Sequence, residues 1–155
     1  MKQFCSMILI LTVVALSGCG AKNPYDTAKV SGVVLVDGAP MAAVSVSFQP
    51  VEIEGMSAGG MTDAEGKFVL TTGSAPFGSG AIPGRYYVAF FKSEVPAEFQ
   101  TNSPEEFKEK FGDMRSVPVV HHVPEKYNFP RTSGVEPVTV EKGGKNHFEF
   151  SLGTK

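Results

Sequence analysis

Three histidines, two cysteines, an acidic pair and a spread of tyrosines and phenylalanines are the side chains of this 155-residue sequence that could do chemistry. His121 and His122 are adjacent, so on an extended strand they point to opposite faces and cannot easily share one metal ion. His147 alternates with Phe148 and falls on the solvent-facing side with Glu149. Imidazole suits zinc or copper, but exposed or loop positions explain these three histidines without a metal. Asp63 and Glu65 in "TDAEGKFVL" offer two carboxylates, yet no further acids follow at calcium-ligand spacing, so turn chemistry explains the pair. Tyr86, Tyr87, Phe90, Phe91, Tyr127 and Phe129 could floor a groove for carbohydrate or peptide, although most of that pattern also suits core packing. Tyr87 and Phe91 lie opposite the main alternation of their strand. Tyr87, Phe91 and Tyr127 are therefore the candidate ligand-binding residues, and no catalytic residue, metal or cofactor is expected.

Cys19 is marked by what precedes it. Lys2 supplies a positive charge, and Met7 to Leu16 ("MILILTVVAL") is a ten-residue apolar run interrupted only by Thr12. At helical rise that run spans about 15 Å, half of a bilayer core, which fits the apolar region of an export signal better than a spanning helix. The following Leu16-Ser17-Gly18-Cys19 resembles the bacterial lipobox, an aliphatic residue and two small ones before a cysteine. The resemblance implies that the Cys19 thiol receives a diacylglyceryl group, that cleavage falls just before it, and that the new amino terminus is acylated. Cys5 would leave with residues 1–18, so the mature chain would hold one cysteine and no internal disulfide. Acyl chains contribute about 0.8 kcal/mol per buried CH₂, and two or three of them anchor a protein without a spanning helix. Gly20, rather than Asp, follows Cys19, which leans towards the outer membrane in double-membrane bacteria. The chain is expected on the cell membrane or outer membrane, facing periplasm or exterior.

Gly20 to Thr27 ("GAKNPYDT") is short and polar, so residues 19–27 read as a lipidated tether and residues 28–155 as one domain. The formal charge of −2, with no run of Lys and Arg, gives no footprint for phosphate backbones, so nucleic acid is not an expected partner. Seventeen glycines and eleven prolines among many Val, Phe and Thr favour short strands joined by turns.

Period-two alternation dominates from Lys29 onward. Val30, Gly32, Val34 and Val36 share one face, and Val44, Val46 and Phe48 alternate with Ser45, Ser47 and Gln49. "DGAP" (Asp37 to Pro40) separates the two runs as a turn: Asp37 can bond its own following backbone, Gly38 admits positive φ, and Pro40 blocks immediate return to a ladder. A second hairpin is expected around Asp63 and Gly66, with Phe68 and Leu70 inward. The small-residue loop "TGSAPFGSGAIPG" leads to the most hydrophobic strand, "RYYVAFF". Beyond it, Lys92 to Arg131 breaks the alternation. Here Ser103 is placed to cap a two-turn helix with Pro104 at its first position, Glu105 and Glu106 at its positive end and Gly112 at its close. Phe107 and Phe111 form its apolar stripe, and with Phe99 they are expected to cover the Tyr87 and Phe91 face. Val138 and Val140, then Phe148, Phe150 and Leu152 around Gly143-Gly144, suggest a third hairpin. About seven strands and one short helix in an inserted loop give an all-β class, an antiparallel β-sandwich.

In their order, "VSGVVLVDGAPMAAVSVSFQP", "TDAEGKFVL" and "IPGRYYVAF" resemble the carboxypeptidase regulatory-like domain, a transthyretin-like sandwich. Its pattern is V-x-G-x-V, a D-G-x-P turn, a strand ending F-x-P, then T-D-x-x-G-x-F and P-G-x-Y-x-V. The later "VPEKYNFPRTSGVEPVTVEKGGKNHFEFSL" resembles the C-terminal half of small bacterial lipoproteins built on this domain. Ala43 stands where the family often has Gly. The resemblance implies a non-catalytic module with a structural or interaction role at the cell envelope, its partner an envelope protein or glycan. The enzymatic relative within that fold, hydroxyisourate hydrolase, ends in Tyr-Arg-Gly-Ser and uses His and Arg, whereas this sequence has "SLGTK" there. Related adhesin domains also form Lys-to-Asn isopeptide bonds beside a buried acid. Lys29, Asn146 and Glu149 would be the counterparts, with an exposed charge and a turn residue as the plainer account of the first two.

Overall fold

In the computed structural model, residues 23, 25–52, 54–101, 103–112 and 117–154 are described. Cys19, the lipobox residues and the apolar run before them lie outside these residues. Among the described residues the alternation produces eleven strands, several only two residues long: β1 (Val30–Val36), β2 (Ala39–Pro40), β3 (Ser45–Pro50), β4 (Ala58–Met61), β5 (Lys67–Val69), β6 (Thr71–Thr72), β7 (Gly84–Phe91), β8 (Ser93–Glu94), β9 (Val120–His121), β10 (Val138–Val140) and β11 (Asn146–Leu152). An α-helix, α1 (Pro104–Phe111), lies between β8 and β9.

Two sheets face each other. In the first, β1 is central, with β11 on one side and β2 and β5 on the other; the second runs β10-β7-β3-β4-β6. Pairing is antiparallel except between β1 and β11, which run parallel from Val30 opposite Asn146 to Val36 opposite Leu152. The chain is an all-β sandwich.

The expected hairpins are the main correction. Asp37 and Gly38 (φ 50° and 82°) make a tight hairpin turn, but it returns only into the stub β2. Pro40 does rejoin a ladder, opposite Leu35; the flanking Met41 N–H reaches the Val34 carbonyl, so Pro40 occupies the pair that needs no donor. The chain then crosses, and β3 belongs to the other sheet. The Asp63–Gly66 turn likewise joins β4 of the second sheet to β5 of the first, and the Gly143-Gly144 turn joins β10 to β11 across the same gap. Beyond buried Leu70, whose N–H reaches the Val30 carbonyl, the chain switches back to pair β6 with β4.

Between the sheets sits an aromatic core. Phe48 is fully buried, its ring centroid 5.9 Å from Tyr86 and Phe148, 6.2 Å from Phe150 and 6.4 Å from Phe68. Val34, Val46, Val88, Phe90 and Val140 fill the remaining space. Gly32 is required where three strands meet: a Cβ there would lie 2.2 Å from the Phe148 carbonyl oxygen and 2.6 Å from the Phe68 ring.

Candidate functional site

The loop after β6 is built outward from β-strand residues. Thr72 is fully buried and its hydroxyl donates to the Gly80 carbonyl at 2.7 Å, while the Thr71 hydroxyl accepts from the Gly78 N–H at 2.9 Å. The Gly80 N–H reaches the Leu70 carbonyl, and Gly80 fits because a Cβ would meet the Ala28 carbonyl oxygen at 1.8 Å. The loop is thus tied at its base, and its tip carries Phe77 with 85% of its surface exposed. Beside it opens a cleft of about 390 Å³ whose lining includes Ser31, Met61, Asp63, Lys67, Phe77 and His147.

Ser31 and His147 are register partners on β1 and β11, and the Ser31 Oγ lies 3.1 Å from His147 Nδ1. A hydroxyl beside an imidazole is the start of a nucleophile and base, but such a pair needs a third group to orient the base. Asp63 does not supply it: its Oδ1 accepts from the Glu65 and Lys67 N–H groups at 3.0 and 2.8 Å, closing its own turn. Among the described residues no carboxylate is hydrogen-bonded to His147, and no three of His, Cys, Asp and Glu converge to hold a metal ion.

The N-terminal segment arrives at this same loop. Ala28 pairs with Ala81, the Thr27 hydroxyl donates to the Ser79 carbonyl, and the Asn23 amide donates to the Thr27 hydroxyl. Lys142 pairs with Asp26 at 2.6 Å. Part of the expected tether, Asn23 and Tyr25 to Thr27, is therefore laid onto the sandwich.

Tyr87, Phe91 and Tyr127 are placed in three different settings. Tyr87 is half-buried, with the Arg131 guanidinium 5.0 Å from its ring centre. Phe91, at the far end of β7, is 48% exposed. Tyr127 belongs to the core, and its hydroxyl sits between the Gly153 N–H and carbonyl at 3.0 and 3.3 Å, which removes its ring from the surface. The inserted segment does not cover Phe91, contrary to expectation. Three of its phenylalanines pack on one another instead: Phe111 lies 5.1 Å from Phe99 and 5.3 Å from Phe107, and the latter two line a cleft of about 380 Å³ with Val95, Val117 and Val119. Helix α1 forms as its caps predict, with the Ser103 hydroxyl accepting from the Glu106 N–H at 3.1 Å, but it buries no residue.

The adjacent histidines diverge, His121 to Glu125 at 2.8 Å and His122 to Glu94 at 3.2 Å, flanking the β8–β9 ribbon. Asn146 is consumed by its turn, accepting from the Glu141 N–H at 2.8 Å and donating to the Glu141 carbonyl at 2.9 Å. Towards Lys29 it reaches the backbone carbonyl, and Glu149 is exposed on the outer face. Asp37 and Tyr86 are displaced from their ordinary range. Hydrogen bonds from the Thr154 hydroxyl and N–H hold the Asp37 carboxyl below it, and burial, reinforced by Glu52, raises the Tyr86 phenol, whose hydroxyl donates to the Ile82 carbonyl at 2.7 Å.

The fold and its surface define a β-sandwich protein with one aromatic-tipped loop beside the incoming N-terminal segment. No protein-family model matches the chain, and comparisons with curated proteins and with solved structures find no match. Sequence reasoning had no means of placing the Phe77 cleft, because its walls come from β1, the β4–β5 turn, β11 and the loop. The available signal was the loop itself, Thr71 to Gly84 without a charge, with one aromatic, Phe77, among mostly small residues.

Proposed function

We propose that this chain is a lipid-anchored, extracytoplasmic β-sandwich module that performs no catalysis and has a structural or protein-interaction role at the cell envelope. The observation that carries the reading is the ordered series Lys2, the apolar run Met7 to Leu16, and Leu16-Ser17-Gly18-Cys19 immediately ahead of a short polar stretch. Lipid on Cys19 would hold the protein at the cell membrane or outer membrane. The sandwich would be a carboxypeptidase regulatory-like, transthyretin-like domain. In support, V-x-G-x-V falls on β1, D-G-x-P on the β1–β2 turn, T-D-x-x-G-x-F on the β4–β5 connection and P-G-x-Y-x-V at the start of β7.

Growth of the producing cells with an alkyne-tagged fatty acid tests the anchor. The protein should take up the tag, its intact mass should match a chain beginning at a diacylglyceryl-modified, N-acylated Cys19, and Cys19→Ser should lose the tag entirely. An untagged wild-type protein of unmodified mass would overturn the reading. The broad exposure of Phe91 favours a second reading, a module that binds glycan or peptide through surface aromatics. Retention on an envelope-glycan or peptide matrix that falls on Phe91→Ala would support it, and equal elution of both proteins would remove it.

A further inference from the structure

We propose that the Phe77 loop is a second, direct contact with the lipid surface, in which Phe77 dips into the membrane interface with Met61 beside it. The inference rests on the anchor at Cys19 and adds how the sandwich is oriented on the lipid. Asn23 is already bonded to Thr27, and Thr27 to Ser79, and in the sequence only Gly20, Ala21 and Lys22 separate Cys19 from Asn23. Four residue steps reach at most about 14 Å. The loop bearing Phe77, two residues from Ser79, is therefore kept on the side of the sandwich where the lipid-bearing end of the chain arrives, close enough for its tip to meet the bilayer.

The loop has the chemistry for that place. From Phe68 to Gly84 no residue carries a charge, so the loop tip itself takes no ion into the headgroup region, while the Asp63 carboxylate on the cleft wall stays at the aqueous level, bonded to its own turn. Phe77 and Met61 are 85% and 65% exposed and share one cleft. Lys67, exposed on the cleft wall, can keep its ammonium at the phosphate level while its stem follows the apolar surface. The threonine bonds at the loop base fix Phe77 outward, so little conformational entropy is lost on insertion.

The sequence contains no tryptophan, so an indole introduced at position 77 reports on that position alone. Phe77→Trp and, separately, Phe91→Trp are made in the full chain, purified with the lipid on Cys19 verified by mass, and reconstituted into phosphatidylglycerol and phosphatidylethanolamine vesicles with or without brominated acyl chains. Position 91 lies at the far end of β7, more than about 20 Å along the strand from the loop. The expected result is a blue-shifted emission from the Phe77→Trp protein, quenched by brominated lipid at least about twofold more than that of the Phe91→Trp protein. Equal, weak quenching of both lipidated proteins overturns the loop contact and leaves the anchor standing. A blue shift of the Phe77→Trp protein that needs only raised protein concentration, without vesicles, also overturns it and assigns the patch to contact between copies. Absence of lipid from Cys19, read beforehand by mass, overturns the anchor and with it the loop contact that rests on it.

Discussion

Ala43 holds a φ of 55° at the point where the chain leaves the first sheet for the second, with its N–H on the Thr62 carbonyl at 2.9 Å. A Cβ in the left-handed region costs about 1–2 kcal/mol, and glycine removes that cost while giving up some unfolded-state restriction. Ala43→Gly should therefore raise stability by about 0.5–1 kcal/mol, seen as a higher urea midpoint with unchanged slope. An unchanged midpoint would show that the surrounding bonds relieve the strain. Asp37 is the other non-glycine residue with positive φ among the described residues, and there the carboxylate adds a second role. It grips Thr154 through both hydroxyl and N–H, which lowers its pKa from the ordinary 3.8. With the folded value below the unfolded one, the ionised form favours the fold above that ordinary value, and the benefit disappears as pH falls through the lowered one. The Thr154 amide should then exchange slowly near neutral pH, lose its excess protection at acidity below the aspartate range, and be unprotected at every pH in Asp37→Gly, which suits the positive φ and leaves no side-chain acceptor. Protection that persists in the variant would assign it to the backbone alone.

Strands and their partners differ in how far local residues specify them. The inward faces of β1, β3, β5 and β11 were legible because burial on one face imposes a period of two: Val30, Val34, Val46, Phe48, Phe68 and Phe150 all lie in the core as that period requires. Helix α1 was equally legible, since Ser103, Pro104 and Gly112 act within a few residues of themselves. Pairing was not. A turn such as Asp63–Gly66 has the same Asp cap and left-handed glycine whether its arms share a ladder or separate into facing sheets. Nothing in its local chemistry distinguishes the two. The Asp63 carboxylate in fact bonds the Lys67 N–H at the mouth of such a crossing. The candidate surface was legible only in part for the same reason. The uncharged loop could be seen in the residues, but its junction with Asn23 and Thr27 depends on the Ala28–Ala81 bridge across more than fifty positions of chain. Tyr127, which the residues left open between groove floor and core, sits where alternation fails, and its place in the core depends on the distant Gly153, whose N–H donates to its hydroxyl.

At the scale of the molecule, the parallel pairing of β1 with β11 makes the sandwich depend on residues more than a hundred positions apart. The first sheet contributes Phe150 through that pairing and the second contributes Phe90 from β7, with ring centroids 4.9 Å apart and edge to face. A contact of this kind couples the two sheets directly, so the sandwich should unfold as one unit while the inserted α1 segment, which buries no residue, stays outside it. A double-mutant cycle tests this. Phe90→Leu and Phe150→Leu should each cost about 1–2 kcal/mol, and the pair should show a coupling of about 0.5–1.5 kcal/mol from the lost ring contact. Phe111→Leu breaks ring contacts of similar length within the insert. It should nevertheless shift global stability by less than about 0.5 kcal/mol and add without coupling to Phe150→Leu. Calorimetry reads both cycles. Measurable coupling between Phe111 and Phe150 would make the insert part of the cooperative core, and a vanishing coupling between Phe90 and Phe150 would mean that the two sheets are held together by burial without ring-to-ring specificity.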